Sequence, residues 1–195
     1  MGLFFDCFMK VMIVYAHPDT GGHCEHILQE VKNKLKQENA DYEVIDLYKE
    51  NYDAVLHEDE HYTRGKYKIS RRNKELQKKI LETEHLIFIY PVWWYAPPAM
   101  LKGFLDRVFI SRFAFRYVNG IPVGLLKGKK ATIFFTSGAP TIYYKLFGNL
   151  PKKNVSKTLA FCGVKSKTYQ FGRCLKFTQK NKTRISRKIR KICLA

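Results

Sequence analysis

The amino-acid sequence predicts an α/β protein built on a doubly wound parallel sheet of five strands. Short apolar runs alternate with amphipathic stretches along the chain, the pattern of strands separated by helices. The first run, VMIVYA at 11 to 16, is apolar throughout, as expected of a central strand buried on both faces. A length of 195 residues with 46% apolar content supports one sizeable core without disulfide or metal staples.

The elements follow in order. After the first strand, Ile27, Val31 and Leu35 recur at four-residue spacing with Lys, Gln and Glu between them, predicting a helix near 23 to 38. YEVIDL at 42 to 47 reads as the second strand, 48 to 69 as a polar connection and 70 to 82 as a helix. HLIFIY at 85 to 90 is the third strand, and Pro97 and Pro98 pre-set a helix over 98 to 110. ATIFFT at 131 to 136 is the fourth strand, followed by a short helix near 141 to 148. TLAFCGV at 158 to 164 is taken as the fifth strand, and a basic helix closes the chain. Residues 1 to 9 read as an N-terminal extension and 10 to 195 as a single domain.

Composition excludes several classes. No apolar run approaches the roughly 18 residues that cross a bilayer, and MGLFFDCF lacks the features of a signal peptide, so a cytoplasmic protein is expected. Asp6 breaks the myristoylation pattern after Gly2. The five cysteines are scattered, with no C-x-x-C pair, and suggest reduced thiols rather than a disulfide framework. Charge is unevenly spread: residues up to Asp106 hold all 17 acids and 14 Lys and Arg, whereas residues 107 to 195 hold 21 Lys and Arg and no acid. That half should attract anions: dinucleotide phosphates, an acidic partner or a membrane surface. No nucleic-acid motif accompanies it, so specific nucleic-acid binding is not expected.

Ligands of doubly wound sheets bind outside the carboxyl ends of the strands. The first such loop, AHPDTGGH, runs from a strand into a helix, where free backbone N–H groups and the helix dipole favour a phosphate. There is no Walker loop, and no G-x-G-x-x-G follows a strand, which argues against an NTPase and against a Rossmann dehydrogenase. The third loop carries Pro91, Val92, Trp93, Trp94 and Tyr95. Successive residues at a strand end point in different directions, so these aromatics cannot all be core and suggest a flat conjugated ligand. Two metal-like spacings, His57-Glu58-Asp59-Glu60-His61 and His23-Cys24-x-His26, lack the apolar helix back or the further ligands that a metal site needs, and no metal is expected.

Four segments, VMIVYAHP, IYPVWWYAPPAMLKGFLDRVF, FAFRY at 113 to 117 and FTSGAPTIYYKLFG, make residues 10 to 175 resemble the flavodoxin-like NAD(P)H:quinone oxidoreductase family. The resemblance implies sheet order 2-1-3-4-5 with helices on both faces, bound FMN or FAD, NADH or NADPH as donor and a quinone-type acceptor. It implies that His17, Thr20, Gly22, His23 and Cys24 hold the flavin phosphate side. Pro91, Val92, Trp93, Trp94 and Tyr95 would meet the ring system near its reactive nitrogen. Ser137, Gly138 and Ala139 would offer N–H groups to the pyrimidine edge, Tyr143 would be the side-chain donor in the chemistry, and Phe115 and Tyr117 would line the acceptor pocket. A homodimer is expected, with Tyr52, Val55, Leu56, Tyr62 and Tyr67 as unpartnered apolar groups. The chain departs from the family in Gly21 to Cys24 of the phosphate loop, in Ala139, and in Asn149, which stands where the family has a histidine. The alternative function is a regulatory or binding subunit that docks through its basic half.

Overall fold

The structure, a computed structural model, describes residues 9–61, 63 and 65–194. Strands β1 (Lys10–Tyr15), β2 (Asp41–Asp46), β3 (His85–Pro91), β6 (Lys130–Thr136) and β7 (Lys165–Phe171) form one sheet in the order β2-β1-β3-β6-β7. All four pairings are parallel. Numbered within the sheet alone, this is the expected 2-1-3-4-5. A separate antiparallel hairpin, β4 (Phe115–Val118) and β5 (Ile121–Gly124), was not expected from the sequence. Asn119 and Gly120 turn it, both at positive φ, the combination that a type I′ hairpin demands.

Alternate residues of each central strand serve opposite faces. Val11, Ile13 and Tyr15 of β1 and Ile87 and Ile89 of β3 meet Ile27, Val31 and Leu35 of α1 (His23–Gln37) and Ile185 and Ile189 of α6 (Gln179–Arg190). On the other face Met12, Val14, Phe88 and Phe135 meet Leu76 and Ile80 of α2 (Arg71–Glu82), Phe104 and Val108 of α3 (Ala99–Val108), and Val155 and Leu159 of α5 (Leu150–Phe161). Both faces are therefore covered, which explains the unbroken apolarity of β1 and β3.

The fifth strand is displaced from its expected position. Residues 158 to 161 end α5, Gly163 closes that helix at φ +88°, and the strand runs over Lys165–Phe171. Val155, Leu159 and Cys162 are the apolar stripe of a helix end, so a run that looks like a strand is one face of a helix. The true edge strand, KSKTYQF, is mostly polar because one of its sides is open.

The connection 48–69 is held by a buried ion pair. Arg107 of α3 donates Nε and Nη2 to the two carboxylate oxygens of Glu60, each at 2.7 Å, and reaches the Asp53 carboxylate at 2.9 Å. Tyr52 is buried, bonded to Asn73 Oδ1 at 2.9 Å and edge-on to Phe104, so it belongs to this chain's own core rather than to an interface. Tyr67 is half-buried and donates to the Ser111 carbonyl, whereas Val55 and Leu56 are exposed. Tyr62 and residues 1–8 lie outside the described residues; Met9 packs on the α1 side of the core. No helix among the described residues is long and apolar enough to cross a membrane.

Candidate functional site

At the carboxyl ends of β1, β3 and β6 lies a cleft of about 600 Å³, lined by the loops after these strands and by the loop after β7. His17, Gly22, His23, Cys24, Pro91, Val92, Trp93, Trp94, Ser137 and Gly138, ten of the residues expected to bind cofactor, line it together.

The first wall is the start of α1. Gly22 is its N-cap with no side-chain capping bond, which leaves first-turn N–H groups for an anion. At Gly21 and Gly22 an added Cβ would meet nothing within 4 Å, so the approach is open. The His17 Nδ1 atom lies 3.0 Å from both the N–H and the carbonyl oxygen of Asp19, which fixes the ring at this wall. His23 is held below the ordinary histidine range by burial and by the Arg184 guanidinium, so near neutral pH it offers a neutral rather than a charge-assisted hydrogen bond. Cys24 turns away from solvent, its thiol 3.4 Å from Thr136 Oγ1 and pushed up to about 12 by burial; only its backbone can serve an anion. Thr20 is exposed and does not line the cleft.

The second wall is a strained turn. Trp93 and Ala96 exchange two backbone hydrogen bonds, of 3.0 and 2.9 Å, around Trp94 at φ +49° and Tyr95 at φ +64°. Two consecutive non-glycine residues in the left-handed region cost roughly 1–2 kcal/mol each, and such strain gathers at functional sites. Asn154 of α5 donates to the Tyr95 carbonyl at 2.7 Å and secures the turn. The Trp93 ring lies 6.2 Å from that of His17, while the Trp94 side chain is 96% exposed over the cleft.

The third wall is the loop after β6. The Ser137 N–H is taken by the Phe171 carbonyl at 3.0 Å, so Ser137 cannot be the N–H donor expected of it; its hydroxyl donates to the Ala139 carbonyl. The N–H groups of Gly138 and Ala139 have no partner among the described residues, and Gly138 faces the cleft. Tyr143 of α4 (Thr141–Leu146) and Tyr95 share a hydrogen bond between their hydroxyls at 2.7 Å, on the rim rather than in the lining. That bond raises the Tyr95 phenol above its ordinary value. Asn149, at φ +55°, is the N-cap of α5 without a side-chain capping bond, and it does not line the cleft.

Sequence reasoning missed the fourth wall. Cys174, Leu175 and Phe177, after β7, close the cleft. Phe177 meets His23 edge-on at 4.9 Å, Asn181 Nδ2 lies 3.2 Å from His23 Nε2, and Arg184 donates to the Gly172 carbonyl. The misplaced fifth strand hid this loop, since strand ends show where cleft loops begin. Phe115 and Tyr117 are not brought to the cleft: Phe115 is buried against Phe161, and the hairpin abuts Cys162 and Gly163, before the start of β7 and hence at the opposite end of the sheet. Neither metal-like spacing assembles. Glu58–Glu60 is a single 3₁₀ turn, His57 bonds Asp53 at 2.6 Å, and His26 bonds Ser186 Oγ at 3.0 Å.

Residues 9–192 match the family described as having a flavodoxin-like fold. An uncharacterized NAD(P)H oxidoreductase of Haemophilus influenzae is 30% identical over 166 residues, covering 83% of this chain and 82% of that protein. The ribosyldihydronicotinamide dehydrogenase [quinone] of Pongo abelii is 31% identical over 156 residues, 71% of this chain and 68% of that protein. The solved NAD(P)H:quinone oxidoreductase of Methanothermobacter marburgensis superposes with a TM-score of 0.79 at 26% identity, over 94% of this chain and 96% of that one. With the sheet order and the position of the cleft in agreement, this chain belongs to the flavodoxin-like fold family, and these oxidoreductases are its relatives.

Proposed function

We propose that the chain is an NAD(P)H-dependent oxidoreductase that passes a hydride through bound FMN, or FAD, to a quinone or related acceptor. The observation that carries this is the convergence, in one cleft, of an uncapped helix N-terminus, a strained aromatic turn and the Gly138 corner. A volume of about 600 Å³ suits a cofactor-sized ligand. Bound flavin would supply the redox chemistry, with NADH or NADPH as donor.

The chain's residues bind and orient. First-turn N–H groups of α1, with Gly21 and Gly22 out of the way, would hold a phosphate. Trp93 and Trp94 would flank a flat ring, and N–H groups of Gly138 and Ala139 would face the edge where negative charge develops. Tyr143, already bonded to Tyr95 at the rim, is the side-chain donor of this proposal. Residues 10–195 act as one flavin-binding domain in a cytoplasmic enzyme. The rival reading, a regulatory subunit, gains no support from relatives that are described as oxidoreductases.

A homodimer is part of the same proposal. Val55 and Leu56 of the connection and Tyr117, Val118 and Ile121 of the hairpin are exposed apolar groups that a second copy would cover. Tyr117, exposed and remote from its own cleft, could reach an acceptor pocket only from the other protomer, whereas Phe115 is buried in its own core. The test is the absorption spectrum of the purified protein. Flavin bands are expected; their absence after reconstitution with both FMN and FAD refutes the assignment.

A further inference from the structure

Beside the cleft, the corner between α4 and α5 turns large apolar side chains into solvent. Ile142 is 61% exposed, Leu146 74%, Phe147 58% and Leu150 51%; of the residues of α4 itself only Tyr144 is buried. Ile142 and Leu146 share a helix face at four-residue spacing, and Leu150 follows at the start of α5. Exposed Lys145, Lys152 and Lys153 surround them, and no acid pairs with these lysines among the described residues. The corner adjoins the mouth of the cleft: Tyr143 of α4 holds the Tyr95 hydroxyl, and its neighbour Trp94 lines the cleft with its ring 96% exposed.

We propose that this corner docks on an anionic lipid bilayer, with Leu146, Phe147 and Leu150 at the boundary between headgroups and acyl chains and Lys145, Lys152 and Lys153 on anionic headgroups. Charge decides between a bilayer and a second copy of the chain. A two-fold contact through this corner would set its lysines against themselves, and residues 107 to 195 contain no Asp or Glu to relieve the repulsion. An anionic surface answers both the apolar and the basic residues. Resting on the flavin-reductase reading, the arrangement faces the cleft mouth toward the phase in which lipid-soluble quinones dissolve, so that an acceptor of that class enters from the membrane.

The experiment is flotation of the flavin-bound full chain with phosphatidylcholine vesicles, with and without phosphatidylglycerol. The protein should float only with the anionic vesicles. L146E/L150E should remain at the bottom, and K152Q/K153Q should partition roughly 30-fold more weakly, two headgroup contacts having been lost. Without vesicles, L146E/L150E should reduce a water-soluble quinone at the wild-type rate, which separates failure of docking from failure of the reductase reading. The proposal is overturned if the wild type fails to float, floats equally with neutral vesicles, or floats undiminished as L146E/L150E. It is equally overturned if that variant converts a dimer to monomers in sedimentation, because the corner would then be a contact between copies.

Discussion

The turn at Trp93 to Ala96 sets stability against binding, and Trp94→Asn should separate the two. Trp94 occupies the left-handed region at φ +49° in a tight turn whose second central residue, Tyr95, is also left-handed. Asn is among the residues preferred at such positions and gives up none of the chain stiffness that Gly would. The Trp94 ring is 96% exposed, so removing it forfeits almost no burial in the flavin-free protein. Relief of strain should therefore stabilise that form by about 1 kcal/mol, or roughly 2–4 °C in Tm for a chain of this size. Flavin affinity should move the other way. Losing the ring's contact area costs about 1–3 kcal/mol, or roughly 5- to 150-fold in Kd. Thermal melts of flavin-free protein and a fluorescence titration with FMN measure the two effects. A lower Tm for the flavin-free variant would mean that the ring packs on the fold; a raised Tm with unchanged Kd would mean that the strained turn does not serve flavin.

Three further outcomes follow from other parts of the structure. Tyr143→Phe removes one hydroxyl from the rim and should slow flavin reduction by NADPH about 10-fold, near 1.4 kcal/mol, with flavin binding nearly intact; a wild-type stopped-flow rate would leave the backbone donors sufficient. Arg107→Leu leaves Glu60 buried without its cation and should cost roughly 3–5 kcal/mol in urea unfolding, and a loss below about 1 kcal/mol would show that water reaches the site. His85 is buried, 2.9 Å from Thr132 Oγ1, and burial pushes it from 6.5 down to about 4. The unfolded chain then binds the extra proton, so stability is complete above about pH 6.5 and falls by on the order of 3 kcal/mol as pH drops to about 4. His85→Gln should flatten that part of the pH profile, and an unaltered slope would assign it to other groups.

How far the sequence was legible depended on how local the deciding physics was. Four of the five sheet strands and most helices stood where the apolar runs placed them, because a strand buried on both faces leaves an unbroken run and a surface helix leaves a four-residue repeat. The fifth strand failed on both counts. TLAFCGV is a helix end that lies against the sheet, while KSKTYQF is an edge strand in which only Phe171 is fully buried, too little to force an apolar run. The β4–β5 hairpin did leave a readable sign, Asn119-Gly120 between short β-prone segments.

By itself the sequence determined the α/β class and the three loops that meet at the cleft, since these follow from the contents of short windows, and the strand order came through family resemblance. Only the tertiary structure decided what depends on partners distant in sequence. It placed Cys174, Leu175 and Phe177 across from His23, occupied the Ser137 N–H with Phe171, and sent Tyr52 into the core beside Asn73. It also left Phe115 and Tyr117 at the far end of the sheet from the cleft. A donor's availability and a side chain's direction are set by neighbours more than a hundred, or as few as twenty, residues away, and no local pattern encodes them.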